Sequence, residues 1–230
     1  MPLKGLAYAS DFPQDLRALA CDWFYTWSGF SYQLGRVPMS RAGLPVPDLP
    51  ADYPGWLLVF NEPNQPEPFG CELSPTDALT RYAALIDTYP QAKMIVGGVS
   101  PINAKGEYGH NWLYFFNLKR KAANLKPPAG WAMHGYVQNW ITPAHLFSWW
   151  TKARALVAGR FWITEFGDIS GSLRAFESLV IWLKAHSWID RYAAYTNRQP
   201  EDQPWIISPH VELVYSDGSL KPNGLIYRSA

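Results

Sequence analysis

The sequence predicts an α/β protein: a single compact (β/α)8 TIM barrel spanning residues 1–230, with some outer helices short or missing. Three observations carry that expectation. Short runs along the chain are almost continuously apolar, as strands covered on both faces are. Amphipathic stretches of helical period fall between most of them. The first run is followed by Ala7-Tyr8-Ala9-Ser10 rather than the Gly-rich phosphate turn of a doubly wound open sheet.

Strands are expected at Gly5–Ala9, Cys21–Tyr25, Arg36–Met39, Leu57–Asn61, Met94–Gly98, Trp131–His134, Phe161–Thr164 and Tyr192–Tyr195. The clearest helix runs from Thr76 to Thr88. Ser74-Pro75-Thr76-Asp77 supplies its start signal, and Leu79, Tyr82, Ala83 and Ile86 line one face. Further helices are expected at Asn111–Leu118, Pro143–Val157 and Leu173–His186. Pro143 stands where a first-turn proline belongs, with Thr142 as its N-cap. The proline-rich stretch from Ser40 to Pro54 reads as loop.

A length of 230 residues suits one large domain. A net charge of +1 gives no field to recruit nucleic acid or an anionic membrane, and Lys119-Arg120-Lys121 reads as a solvated helix end. No apolar run approaches the ~20 residues needed to span a bilayer. Cys21 and Cys71 are compatible with a disulfide or with two thiols, and no Cys/His spacing indicates zinc. The expectation is a secreted monomer whose leader has been removed, with a cytosolic protein as the alternative. With 12 Trp, 13 Tyr and 11 Phe, the chain is rich in rings. Aromatic faces stack on the C–H faces of sugars, although for any single ring core packing is the commoner role.

Chemistry is expected where polar groups follow apolar runs, because the C-terminal strand ends of such a barrel build its active site. Phe60-Asn61-Glu62-Pro63-Asn64 and Phe161-Trp162-Ile163-Thr164-Glu165-Phe166-Gly167 each deliver a glutamate in this way. Two carboxylates across a cleft are the minimum equipment for cleaving a glycosidic bond. His134 and Tyr136 share parity and should face Glu165 together. A tyrosine hydroxyl there would hold Glu165 ionised, whereas burial would keep Glu62 protonated. Asn61 would bind a sugar hydroxyl near the reacting carbon. Trp23, Tyr25 and Trp27 at the second strand and Trp140 beyond the sixth are the candidate sugar-binding rings, with Trp112 as a further one.

These motifs resemble the acid/base and nucleophile signatures of clan A glycoside hydrolases, and within that clan the chain is most similar to glycoside hydrolase family 128. The pieces fit in order: Trp23-Phe24-Tyr25-Thr26-Trp27, Val37-Pro38-Met39, Phe60 to Asn64, Leu73-Ser74-Pro75-Thr76-Asp77-Ala78, His134-Gly135-Tyr136, Trp162 to Gly167, and Asp217 to Gly224 ahead of Tyr227. The departures are Thr26 in place of an asparagine and Asn64 in place of an aspartate. The resemblance implies Glu62 as acid/base, Glu165 as nucleophile, and Asn61, His134 and Tyr136 as their support. It also implies a retaining endo-β-1,3-glucanase acting on polysaccharide or oligosaccharide without metal or organic cofactor. A β-1,4-glycanase acting on xylan, cellulose or mannan and a non-catalytic glycan-binding barrel are the alternatives. A phosphate-binding barrel enzyme is disfavoured, because Asp168 would repel phosphate in the Gly167–Ser172 turn.

Overall fold

The computed structural model describes residues 1–8, 12–27, 33–199 and 207–230. The apolar runs become eight strands: β1 (Leu3–Ala7), β2 (Trp23–Tyr25), β3 (Met39–Ser40), β4 (Trp56–Val59), β5 (Lys93–Val99), β6 (Gly130–Val137), β7 (Arg160–Asp168) and β8 (Ile189–Tyr195). Every pairing between them is parallel, in the order β2-β1-β8-β7-β6-β5-β4-β3. The remaining seam closes through the segment before β3. Arg36 bridges Phe24, the Val37 N–H donates to the Phe24 carbonyl, and the Leu58 N–H donates to the Pro38 carbonyl. This is the barrel the sequence predicts.

Among the described residues six α-helices surround it: α1 (Pro13–Ala18), α2 (Pro75–Thr88), α3 (Gly109–Ala122), α4 (Pro143–Leu156), α5 (Leu173–Ala185) and α6 (Pro222–Ser229). Three of the four longer helices start on a capping side chain, and α3 does not. Ser74 accepts from the Asp77 N–H ahead of Pro75, Thr142 and His145 form a reciprocal box ahead of Pro143, and Ser172 accepts from the Ala175 N–H. Between β3 and β4 the proline-rich stretch is loop, as expected. The sequence reading misses α1 and α6. At six and eight residues they offer too little periodicity to register.

Strand limits differ from expectation at the site end. Expected to stop at His134 and Thr164, β6 and β7 instead run on to Val137 and Asp168, because their later residues keep pairing. Conversely, β4 stops at Val59, and Phe60 and Glu62 both adopt positive φ (72° and 42°). The third strand, expected at Arg36–Met39, is a bridge followed by the two-residue β3. The expected end of the first strand, Ala9, lies outside the described residues.

Two apolar layers result. One fills the space between sheet and helices and includes Phe60, Tyr82, Phe116, Trp150, Phe166 and Tyr227. The other fills the barrel, where the small residues Ala7, Ala132 and Ala193 alternate with the bulky Trp23, Tyr25, Trp162 and Tyr195. Trp23 is a correction to the sequence reading. It is 2% exposed, and its indole donates to the Leu3 carbonyl at the N-terminal end of the barrel, away from the expected site. Its ring crosses β1 so closely that a Cβ on Gly5 would sit 2.3 Å from the indole. Trp56 and Trp162 complete this floor, and the Arg191 guanidinium lies 4.5 Å from the Trp162 ring and 5.5 Å from that of Trp23. Trp23 is therefore a packing residue. Trp23→Ala is expected to lower unfolding free energy by about 3–5 kcal/mol, measured by urea denaturation. A loss under about 1 kcal/mol would show that this floor is not closely packed.

Candidate active site

Glu62 reaches the barrel mouth from a kink, not from a strand. Its N–H donates to the carbonyl of Gly98, at the end of β5. Gly98 has φ +57°, and a Cβ there would lie 3.1 Å from His134 Nε2 and 3.3 Å from the Phe60 carbonyl. A glycine is thus needed where the kink, β5 and β6 converge. Nothing in the sequence-level argument singled it out. Beyond the kink, the Asn64 side chain clamps Ser100: its Oδ1 accepts from the Ser100 N–H and its Nδ2 donates to the Ser100 carbonyl.

Glu165 sits within β7 and is buried. Its register partner across β6 is His134, and Tyr136 follows two residues on, as the parity argument requires. The Tyr136 hydroxyl donates to Glu165 Oε2 at 2.6 Å. The fully buried Tyr25 hydroxyl donates to Glu165 Oε1 at 2.8 Å and also contacts the Thr164 carbonyl at 3.1 Å. Tyr25 was expected to bind sugar. Its hydroxyl is instead committed to the carboxylate. Burial, then Glu165, pushes the hydroxyl pKa of Tyr25 and Tyr136 far above the ordinary tyrosine value, so both remain hydrogen donors.

His134 joins the two acids. Its Nδ1 lies 3.0 Å from Glu62 Oε1 and 3.3 Å from Glu165 Oε2. Nε2 is buried without a hydrogen-bond partner among the described residues, so a hydrogen on Nδ1 directs the ring's N–H at the carboxyl groups. Burial holds the imidazole below its ordinary pKa against the opposing pull of Glu165, which makes it a neutral donor. One oxygen of each carboxyl group and one nitrogen of His134 all lie within 4.8 Å of one another.

The two acids differ in what surrounds them. Burial alone pushes Glu62 up to about 8. Burial also raises Glu165, but His134, Tyr136 and Tyr25 pull it back, while the neighbouring Glu62 adds to the rise. Glu165 therefore has the groups that favour its ionised form, and Glu62 is the better proton holder. Among the described residues this is also the one acid/histidine cluster with ligand spacing for a metal. Its donor arrangement opposes a cation, since two hydroxyls and an imidazole N–H already aim hydrogens at the carboxyl oxygens.

The remaining candidates divide. Asn61 is buried, its Oδ1 accepting from the Trp27 indole at 2.9 Å and its Nδ2 donating to the Phe69 carbonyl. The expected sugar contact is left with the amide's second N–H and second lone pair. Trp27 is half-buried, edge-on to both Tyr25 and Tyr195, and forms one side of the mouth. Tyr195, which also packs edge-on to Tyr136, is a wall residue missing from the expected set. Trp140 is 58% exposed and packs against His145 and Trp149 at the start of α4. Trp112 is buried on α3, and its indole donates to the Leu73 carbonyl. Thr26 accepts from Arg36 and so secures the barrel seam. Both cysteines are free thiols. Among the described residues, no helix is long and apolar enough to cross a membrane.

The fold and site can be set against known proteins. A subgroup I endo-β-1,3-glucanase of glycoside hydrolase family 128 from Amycolatopsis mediterranei, solved with laminaritriose, aligns at 21% identity and TM-score 0.73, covering 100% of this chain and 99% of that one. A subgroup II endo-β-1,3-glucanase from Pseudomonas viridiflava aligns at 24% identity and TM-score 0.75, over 99% and 97%. A subgroup VII oligosaccharide-binding protein from Trichoderma gamsii aligns at 17% identity and TM-score 0.72, over 100% and 93%. At these identities the likeness is one of fold. No curated protein matches the chain. The family model described as the glycosyl hydrolase catalytic core, however, matches residues 5–227, from the first strand to the last helix and through both glutamates. On that match the chain belongs to the glycosyl hydrolase catalytic core family and is a glycoside hydrolase.

Proposed function

We propose that this protein is a retaining endo-β-1,3-glucanase, with Glu165 as nucleophile and Glu62 as acid/base. The observation that carries the reading is the approach of the two carboxyl groups, with an oxygen of each within 4.8 Å across His134. Retaining enzymes hold their carboxyl groups ~5–5.5 Å apart, whereas inverting enzymes need more than ~6.5 Å for an intervening water. Glu165 attacks the anomeric carbon while Glu62 protonates the departing oxygen. Glu62, now ionised, takes a proton from water, which releases the glycosyl-enzyme. Tyr25, Tyr136 and His134 hold the attacking carboxylate in place and keep it charged.

The β-1,3 linkage and the internal mode of cleavage are drawn from likeness to glucanases such as the one solved with laminaritriose. Rings at the rim, Trp27 and the exposed Trp140, suit an extended chain. We place the reaction outside the cell, where polymeric substrate is met. A second reading is also supported, since an oligosaccharide-binding protein shares this fold. In that reading polysaccharide is bound but no reducing ends appear.

Glu62→Gln and Glu165→Gln are each expected to lower turnover on laminarin by roughly 10²-fold or more. With an aryl glycoside whose leaving group needs no proton, Glu62→Gln should still give a burst of released phenol and Glu165→Gln none. Proton NMR of the first product should show the β anomer. Initial α product, or near-normal activity in either variant, refutes the assignment, and xylan or mannan cleaved in preference to laminarin moves the substrate to the β-1,4 class.

The pH profile of kcat/KM should be bell-shaped. Activity falls on the alkaline side as Glu62 loses its proton near 8, and on the acid side as Glu165 gains one. Tyr136→Phe removes a donor to ionised Glu165 and should move the acid limb upward while leaving the alkaline limb in place. An unmoved acid limb would assign that limb to another group.

Stability should follow the same chemistry. The folded pKa of Glu62 is raised, so the folded state binds more protons than the unfolded one between about 4.5 and 8. The associated stability is present below that window and is lost as pH rises through it. Glu62→Gln is therefore expected to raise Tm at pH 8 by several degrees more than at pH 4.5. An equal effect at both pH values would show that Glu62 titrates normally.

A further inference from the structure

The loop that presents Glu62 has a second face. Its segment 63–66, together with the starts of α2 and α3 and the loop before α3, encloses a groove of about 500 Å³, within the range of ligand sites. None of Glu62, His134, Tyr136, Glu165, Tyr25 or Trp27 lines it. The floor is the buried Trp112. Phe115, 52% exposed, stands on the rim one turn beyond Asn111, so the ring and the amide share one helix face. The side chains of Asn111, Glu72 and Lys105 line the groove, and none makes a hydrogen bond or ion pair among the described residues. Glu107 adds a second acid.

We propose that this groove is a second, non-catalytic binding site for a neutral β-glucan segment, an inference that rests on the function proposed above. The chemistry points to a sugar. An exposed ring offers a stacking face. Beside it, an amide, a carboxylate and an ammonium offer donors and acceptors of both kinds to hydroxyl pairs. Two carboxylates against one ammonium disfavour an anionic ligand. The groove shares its wall with the loop carrying Glu62, so a chain held there remains near the mouth. Tethering of this kind raises the effective concentration of a long substrate and gives nothing to a short one.

Retention on insoluble β-1,3-glucan tests the site in a Glu165→Gln background, where hydrolysis is silent. Adding Phe115→Ala, or separately Asn111→Ala, should lower retention at least fivefold. In the enzyme with Glu165 intact, the same single changes should leave kcat/KM on a short aryl β-glucoside within twofold, with Tm unchanged. Retention unaffected by both changes overturns the site, as does absence of retention before they are made. A parallel loss on the short substrate or in Tm also overturns it, because the changes would then be acting on the fold. The hydrolysis arm reads the proposed function separately: a wild-type protein that releases no reducing ends from any β-glucan refutes that function, while the retention arm still decides the groove.

Discussion

A neutral imidazole wedged between two carboxyl groups is the contact on which the rest of the site depends. His134 sits 3.0 Å from one acid and 3.3 Å from the other, with no water-facing surface of its own. Two acids this close cannot both ionise cheaply away from water. The arrangement survives because the surroundings are unequal. Glu165 receives two tyrosine hydroxyls besides the His134 contact, whereas Glu62 has the His134 contact alone to set against its burial. One member of the pair is thereby biased toward charge and the other toward neutrality, the division of labour a two-carboxylate hydrolase requires.

The barrel makes that inequality geometrical. Glu165 and His134 come from neighbouring strands in register, so backbone pairing fixes their separation. Glu62 comes from a backbone kink with positive φ at two bulky residues. Such conformations cost free energy and persist where surrounding contacts over-determine them. Here the carbonyl of Gly98 and the Asn64–Ser100 clamp supply those contacts. The asparagine that departs from the family pattern is thus part of the scaffold holding the acid.

Much of this was legible in the sequence for identifiable reasons. Continuous apolar runs betray strands buried on both faces, and β5, β6 and β7 were found on that basis. Parity alone placed His134 and Tyr136 on the side of Glu165. Other features escaped because they are tertiary. Tyr25 and Trp23 stand two residues apart on one short strand, and parity gives them the same face. What separates their roles is depth along the barrel axis: Trp23 reaches the Leu3 carbonyl at the base, while Tyr25 reaches Glu165 at the top. No local pattern encodes that depth. Gly98 was hidden likewise, since its value lies in what it leaves empty beside an imidazole from another strand.

The indole floor has a consequence for traffic. Trp23, Trp56 and Trp162 close the lower end of the barrel with the Arg191 guanidinium laid against them. The paired acids lie toward the opposite end, so the upper opening serves both solvent and an entering sugar. A chain lying across that opening covers Glu62, His134 and Glu165 and slows their exchange of protons with bulk solvent.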